Sequence, residues 1–230
     1  MDPFQPGPDF KPGLDALPAE FPVFPLTGAL LLPRGKLPLN IFEPRYLALV
    51  EDALGAGRIF GMIQPDPQKP AWATGPGLFR IGCLGRLSSF SESDDGRYLV
   101  TLSGMLRFAV TEEVAPGRGY RRVRGDFTAF TADLAPAPEA LDFDRPGLLT
   151  ALRGYFQHRG FDANWDAIGK MPDDTLVVTL AMVCPFDPVE KQALLEAPTE
   201  TDRAQTLRTL LEIDTHQPTE PGADGPVRAS

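Results

Sequence analysis

The stretch Phe24-Pro25-Leu26, then Leu30-Leu31-Leu32-Pro33, then Leu37-Pro38-Leu39-Asn40-Ile41-Phe42-Glu43-Pro44-Arg45-Tyr46 decides how this chain folds. Two short apolar strands punctuated by prolines run into a helix that continues through Leu47, Leu49, Val50 and Leu54. Pro44 suits the first turn of that helix, and Gly55 and Gly57 suit its end, so the spacing predicts a helix over 44–55.

Downstream, the pattern switches to period two. Arg58 to Gln64 is short, apolar and closed by Pro65; Leu78 to Leu87 alternates around Gly82 and Gly85, which suggests bends or bulges of a closed sheet. Asp94-Asp95-Gly96 is a hairpin signal. Tyr98, Val100 and Leu102, then, after a Ser103-Gly104 break, Leu106, Phe108 and Val110, carry the alternation on. Tyr120 to Phe130 supplies a last strand. Many short strands and one helix predict a small, partly closed β-barrel over 21–130.

The region 131–216 reads as helical instead. Leu148, Leu149, Leu152, Tyr155 and Phe156 make one face of a helix stopped by Gly160. Asp162 to Gly169 forms a short helix bearing Trp165, read as core, and Thr175 to Val183 a buried one. Asp187-Pro188-Val189-Glu190 and Thr199 to Asp202 each open a further helix with an N-cap and an acid placed to return the contact. The fold class is therefore α+β: a pseudo-barrel followed by a helical bundle. Residues 1–20 read as a flexible Pro-rich arm and 217–230 as a disordered tail.

Hydrophobic content of 43% and charged content of 23% suit a soluble globular protein. No apolar run reaches the roughly 18 residues needed to span a bilayer, and the N-terminus does not read as a signal peptide, so a cytoplasmic location is expected. Cys83 and Cys184 are too few for a disulfide framework and read as buried thiols. Charge is uneven. Residues 21–128 balance to +3 and residues 129–216 to −8, within a total of −9. An acidic second half disfavours extended nucleic-acid binding.

Taken in order, Phe42-Glu43-Pro44-Arg45-Tyr46 before a helix, Phe60-Gly61-Met62-Ile63, Ile81-Gly82-Cys83-Leu84-Gly85, Gly96-Arg97-Tyr98, Leu102 to Phe108, Val189 to Glu196 and Leu207 to Glu212 resemble the N-terminal substrate-binding domain of Lon-type ATP-dependent proteases, found also as a free-standing protein in bacteria. The resemblance covers 21–213. It implies a barrel related to the PUA fold followed by a helical bundle, and a role in recognising protein substrates. A departure bears on activity. The phosphate-cradling Gly-x-x-x-x-Gly-Lys-Ser/Thr loop does not occur, since Gly35-Lys36 is followed by Leu37 and Gly169-Lys170 by Met171. The Ser-Lys catalytic pair of the family belongs to a domain outside the resemblance. A non-enzymatic binding protein is expected, without cofactor or metal.

Candidate residues follow. Trp72, in a Pro-rich loop, Met62 and Phe90 are candidates for contact with unfolded or short-lived proteins and peptides, delivered in turn to a protease or chaperone. Glu43 and Arg45 flank Pro44: Arg45 would grip a partner carboxylate, or Glu43 would accept from the first helical amides while Arg45 ties the helix to a loop. Arg121, Arg122 and Arg124, near Arg118, form the densest basic cluster, either an RNA-contacting strand or a solvated sheet edge. A metal site needs three or four convergent ligands, and His158 and His216, distant in sequence, with two lone cysteines supply no obvious set, so structural or solvated roles are expected.

Overall fold

A computed structural model describes residues 13–14, 17–71, 75–136 and 141–216. Most of the expected N-terminal arm, the whole expected tail 217–230 and Trp72 lie outside the described residues. Strands β1 (Glu20–Pro25), β2 (Lys36–Ile41), β3 (Ile59–Ile63), β4 (Ile81–Glu92), β5 (Tyr98–Val114) and β6 (Arg121–Asp126) alternate with one helix, α1 (Pro44–Gly55). Helices α2 (Arg145–Arg159), α3 (Trp165–Lys170), α4 (Asp173–Val183), α5 (Pro188–Glu196) and α6 (Glu200–His216) follow, so the chain is α+β.

The strands form one six-stranded sheet in the order β2-β5-β4-β3-β1-β6. Its length lets β5 pair twice. Its first half lies between β2 and β4, and its second half, from Ala109 to Val114, meets β6. The sheet thus curls until its β6 edge returns to β5, and the register shifts of β5 at Leu84/Gly85 of β4 and between Val110 and Glu112 supply local bends. Inside the curl Phe21, Val23, Leu84, Leu106, Phe108 and Val123 are almost wholly buried, and the Phe21 and Phe108 rings meet edge to face at 4.9 Å.

Two sequence expectations are corrected. Leu30-Leu31-Leu32 is irregular, not a strand. Its last carbonyl accepts from Gly35 N at 2.9 Å, and Arg34 N and Gly35 O bond to the Gly104 backbone at 2.9 and 2.8 Å, so the segment lies across β5. All three leucines are buried, and they reach the core as a plug over Gly85 and Gly104. The expected strand Tyr120 to Phe130 ends at Asp126, and a kinked 3-10 segment, Thr128–Leu134, follows. Asp126 Oδ1 accepts from both the amide and the hydroxyl of Thr128, at 2.9 and 2.8 Å, which turns the backbone out of the ladder.

The predicted hairpin turn and the return contacts at both helix starts are present. Gly96 at φ 78° closes a three-residue hairpin loop in which Ser93 N donates to Arg97 O at 2.9 Å. Glu190 accepts from Asp187 N at 2.8 Å, and Thr199 and Asp202 exchange reciprocal bonds, Asp202 N to Thr199 Oγ1 at 3.1 Å and Thr199 N to Asp202 Oδ2 at 3.1 Å.

The chain divides into two compact units. The first is the sheet with residues 178–196 of the helical region; the second comprises 140–177 and 197 onward. In the first, the buried Lys191 Nζ donates to Gly28 O at 2.7 Å, and Arg107 makes a two-pronged pair with Asp133. In the second, Leu148, Leu152 and Tyr155 of α2 and Ala204, Leu207 and Leu211 of α6 are buried. Arg159 pairs with Asp214 there, and Arg208 with Asp144 at 2.7 Å.

Candidate functional site

Beyond the curled part of the sheet, β2, the first half of β5 and the distal half of β4 continue as a three-stranded ribbon. Leu39, Val100 and Phe90 stand opposite one another, as do Asn40, Leu99 and Ser91. Because strand side chains alternate, Tyr98, Val100 and Leu102 share one face with Leu37, Leu39, Ile41 and Phe90, and Leu99 and Thr101 share the other with Pro38, Asn40, Ser89 and Ser91. The second face holds a shallow, uncharged groove of about 350 Å³.

Three large apolar side chains crowd the outer part of this ribbon while facing solvent. Phe42 is 61% exposed, Leu99 48% and Phe90 42%. Phe90 meets the Tyr98 ring edge to face at 5.0 Å, and the Arg97 guanidinium stands 5.7 Å from the Phe42 ring. Arg97 also pairs with Asp95 at 2.8 Å, and the Tyr98 hydroxyl donates to Glu51 at 3.3 Å, which gives the apolar patch a charged rim. Isolated exposed apolar residues are ordinary; here Leu99 shares the face of the uncharged groove and Phe90 stands on the opposite face, which makes the ribbon a candidate interaction surface.

The other sequence candidates are placed as follows. Met62 is 2% exposed, inside β3, and presents no surface. Phe90 stands on the ribbon, and Trp72 lies outside the described residues. Glu43 precedes α1 with extended backbone, and its carbonyl accepts from Tyr46 N and Leu47 N at 2.9 and 3.0 Å, but its side chain makes no cap bond. That carboxylate instead holds Arg45, whose Nε and Nη2 donate to Oε2 at 3.0 and 2.8 Å; Arg45 therefore ties to its own turn, not to a neighbouring loop. Pro44 occupies the first turn and Tyr46 packs its ring on Phe24 at 4.1 Å.

The arginine cluster is matched by carboxylates. Arg121, 6% exposed, is held by Glu113 and donates to Pro76 O at 2.6 Å. Arg124 pairs with Glu20 and Glu112 at 2.5 and 2.6 Å, Arg122 with Glu20 at 3.6 Å, and Arg118 with Glu51 at 2.7 Å. Trp165, expected in the core, is half-buried: Phe156 lies 5.6 Å from it and the Arg153 guanidinium 4.7 Å. His158 is half-buried in the last turn of α2, and the His216 side chain lies outside the described residues. Both cysteines are buried and neither is in a disulfide. Among the described residues no group of three potential metal ligands converges, and no helix is long and apolar enough to cross a membrane.

Sequence reasoning missed Leu99 and treated Phe42 only as part of a motif. The signal was present for Leu99: it is the apolar residue off the period that Tyr98, Val100 and Leu102 set.

The family model described as the ATP-dependent protease La (LON) substrate-binding domain matches residues 20–212. The chain belongs to this family. The match opens at the first residue of β1 and closes inside α6, so every strand of this Lon substrate-binding domain falls within it. The Lon protease 2 of Sorangium cellulosum is 33% identical over 93 residues, 39% of this chain and 11% of that protein. The Lon protease of Anaeromyxobacter dehalogenans is 28% identical over 111 residues, 47% of this chain and 13% of that protein. The match thus spans only about an eighth of the length of these curated relatives. Among solved structures, a Lon N-terminal domain protein from Xanthomonas campestris superposes with a TM-score of 0.54 at 23% identity, covering 83% of this chain and 97% of that one. The N-terminal domain of the Mycobacterium avium complex Lon protease gives 0.55 at 15% identity, covering 84% and 97%. These likenesses show that the Lon N-terminal domain fold is shared.

Proposed function

We propose that this Lon substrate-binding domain binds exposed apolar segments of other polypeptides, carries out no chemistry of its own, and presents what it binds to a protease or chaperone in the cytoplasm. The observation that carries this reading is the exposure of Phe42, Phe90 and Leu99 on the outer part of the ribbon, with an uncharged groove on the face that Leu99 shares. Family membership supports substrate recognition, and the missing phosphate-cradling loop supports a part without ATP hydrolysis. Trp72 joins Phe90 as a contact in this proposal.

The energetics fit a broad, weak binder. Burying a large apolar side chain gives about 1.5–3 kcal/mol, and much of that is offset by ordering the bound segment. Fluorescence anisotropy with labelled casein tests the reading. Binding is expected to persist or strengthen as salt rises from about 0.05 to 0.5 M, because apolar burial drives it. Binding that collapses over that range, or a preference for RNA over casein, would sink the proposal.

A further inference from the structure

A second, smaller cleft, about 100 Å³, opens where α1 begins, walled by Pro25, Pro65, Pro76, Arg45, Tyr46 and Arg121. Tyr46 is 6% exposed, yet its hydroxyl has no hydrogen-bond partner among the described residues and is not sealed from solvent. A phenol buried to that extent ordinarily finds a partner. The charges of Arg45, Glu43 and Arg121 act on it. Arg45 spends Nε and Nη2 on Glu43 and keeps Nη1 for another acceptor, while Arg121 is occupied by Glu113 and by Pro76 O. The α1 end adds partial positive charge: no acidic side chain lies in its first turn, and Glu43 gives no side-chain cap bond.

We infer that this cleft holds a carboxylate of the bound polypeptide, with the Tyr46 hydroxyl and Arg45 Nη1 donating to its oxygens and the prolines packing against the attached apolar group. The inference rests on the proposed polypeptide recognition and adds its polar determinant. A carboxylate suits the donors, because the phenol and the guanidinium both donate, and it shares Arg45 with Glu43. The volume suits the end of one residue, not a nucleotide.

Amide NMR on the full chain tests it with N-acetyl-leucine against N-acetyl-leucinamide. The acid is expected to give saturable shifts at Arg45, Tyr46 and Gly119, the amide none. Tyr46→Phe, which keeps the ring on Phe24, should weaken the acid about tenfold, and Arg45→Gln at least as much, both with a near wild-type Tm. Equal response to acid and amide, or undiminished binding by Tyr46→Phe, would overturn the assignment. Two octapeptides then identify the source: one with a free C-terminus, one amidated with an internal glutamate. Whichever displaces N-acetyl-leucine supplies the carboxylate, and displacement by neither overturns the assignment to polypeptide. Shifts at Leu99 and Thr101 report the ribbon separately. A silent cleft with a responding ribbon removes this inference alone; the reverse removes the apolar-recognition reading alone.

Discussion

Gln64 Nε2 donates to Gln192 Oε1 at 3.2 Å, joining the end of β3 to α5 across 128 residues of sequence. The pair is the centre of a buried network. Gln64 also donates to Pro188 O at 3.0 Å and accepts from Gly28 N at 3.2 Å, while Gln192 donates to Ile81 O at 3.0 Å. The two glutamines thereby tie together backbone groups from the Gly28 turn, the start of β4 and the first turn of α5. Gln192→Leu keeps the volume but removes the partner of the Ile81 carbonyl and one of the two acceptors of the Gln64 amide. The expected cost is about 2–3 kcal/mol in urea unfolding, against under about 0.5 kcal/mol for an exposed control such as Gln68→Leu. A Gln192→Leu variant as stable as wild type would show that water replaces the bonds.

Tyr120 and Asp52 set a pH dependence. The Tyr120 hydroxyl donates to Asp52 at 2.6 Å, and burial followed by this bond pushes its pKa up to about 12 from the ordinary 10. The folded state thus holds the proton more tightly than the unfolded state. The resulting stability is complete below pH 10 and is lost as pH rises from 10 through about 12. Absorbance titration at alkaline pH should show Tyr120 ionising late, and Tyr120→Phe should remove that late step while costing about 1 kcal/mol at neutral pH. The same bond, with Arg118 contributing, holds the Asp52 carboxyl below its usual range, so its share is present at neutral pH and fades as acid protonates it.

Local chemistry was legible in the sequence, and register was not. Pro44 with Gly55 marked α1, and the Asp187–Glu190 and Thr199–Asp202 pairs marked two helix starts, because each signal acts within four residues. Arg121 illustrates the opposite case. Its burial depends on Glu113, which stands beside it only because β5 pairs with β6 after an intervening turn. The exposure of Phe42 and Leu99 likewise follows from the ribbon projecting beyond the curl, a property of strand lengths and pairing that no local pattern encodes. Leu30-Leu31-Leu32 read as a strand since apolar runs look alike whether they pair or plug.

Gly104 is where that plug sits. A Cβ built there would stand 1.9 Å from Leu32 O and 2.8 Å from Leu32 C, so the backbone itself, not a flexible side chain, must move. Gly104→Ala is expected to destabilise by about 3 kcal/mol or more and to loosen the 30–35 segment. Hydrogen exchange is the informative readout: the Arg34 and Gly104 amides, which bond across this crossing, should lose protection well before the β3 amides do.

Arg107 and Asp133 form a deeply buried ion pair on the sheet unit, with side chains 6% and 9% exposed. Asp133 accepts from Arg107 N, Nε and Nη2, each at 2.9 Å, and Arg107 Nη1 reaches Leu195 O at 3.2 Å. Asp133→Ala leaves a guanidinium buried beside the Phe130 ring without its counter-charge, at an expected cost of about 3–5 kcal/mol. Replacing both partners, Arg107→Met with Asp133→Leu, should recover much of that loss, since no orphaned charge remains. A double variant as damaged as the single would locate the cost in lost backbone bonds instead.

The ribbon prediction separates recognition from folding. Phe90 and Leu99 point to opposite faces of the same strand pair and are 42% and 48% exposed, so Phe90→Ser with Leu99→Ser removes contact surface from both sides while leaving Val100 and Leu102 in place. Stability should change by less than about 1 kcal/mol, because little buried area is lost. Casein binding should fall about tenfold or more if these side chains anchor the bound segment, since interface energy concentrates in a few large apolar residues. Phe161→Ser, also 42% exposed but on the other unit, is the matched control and should leave binding unchanged. Equal losses in the two variants would move the contact surface off the ribbon.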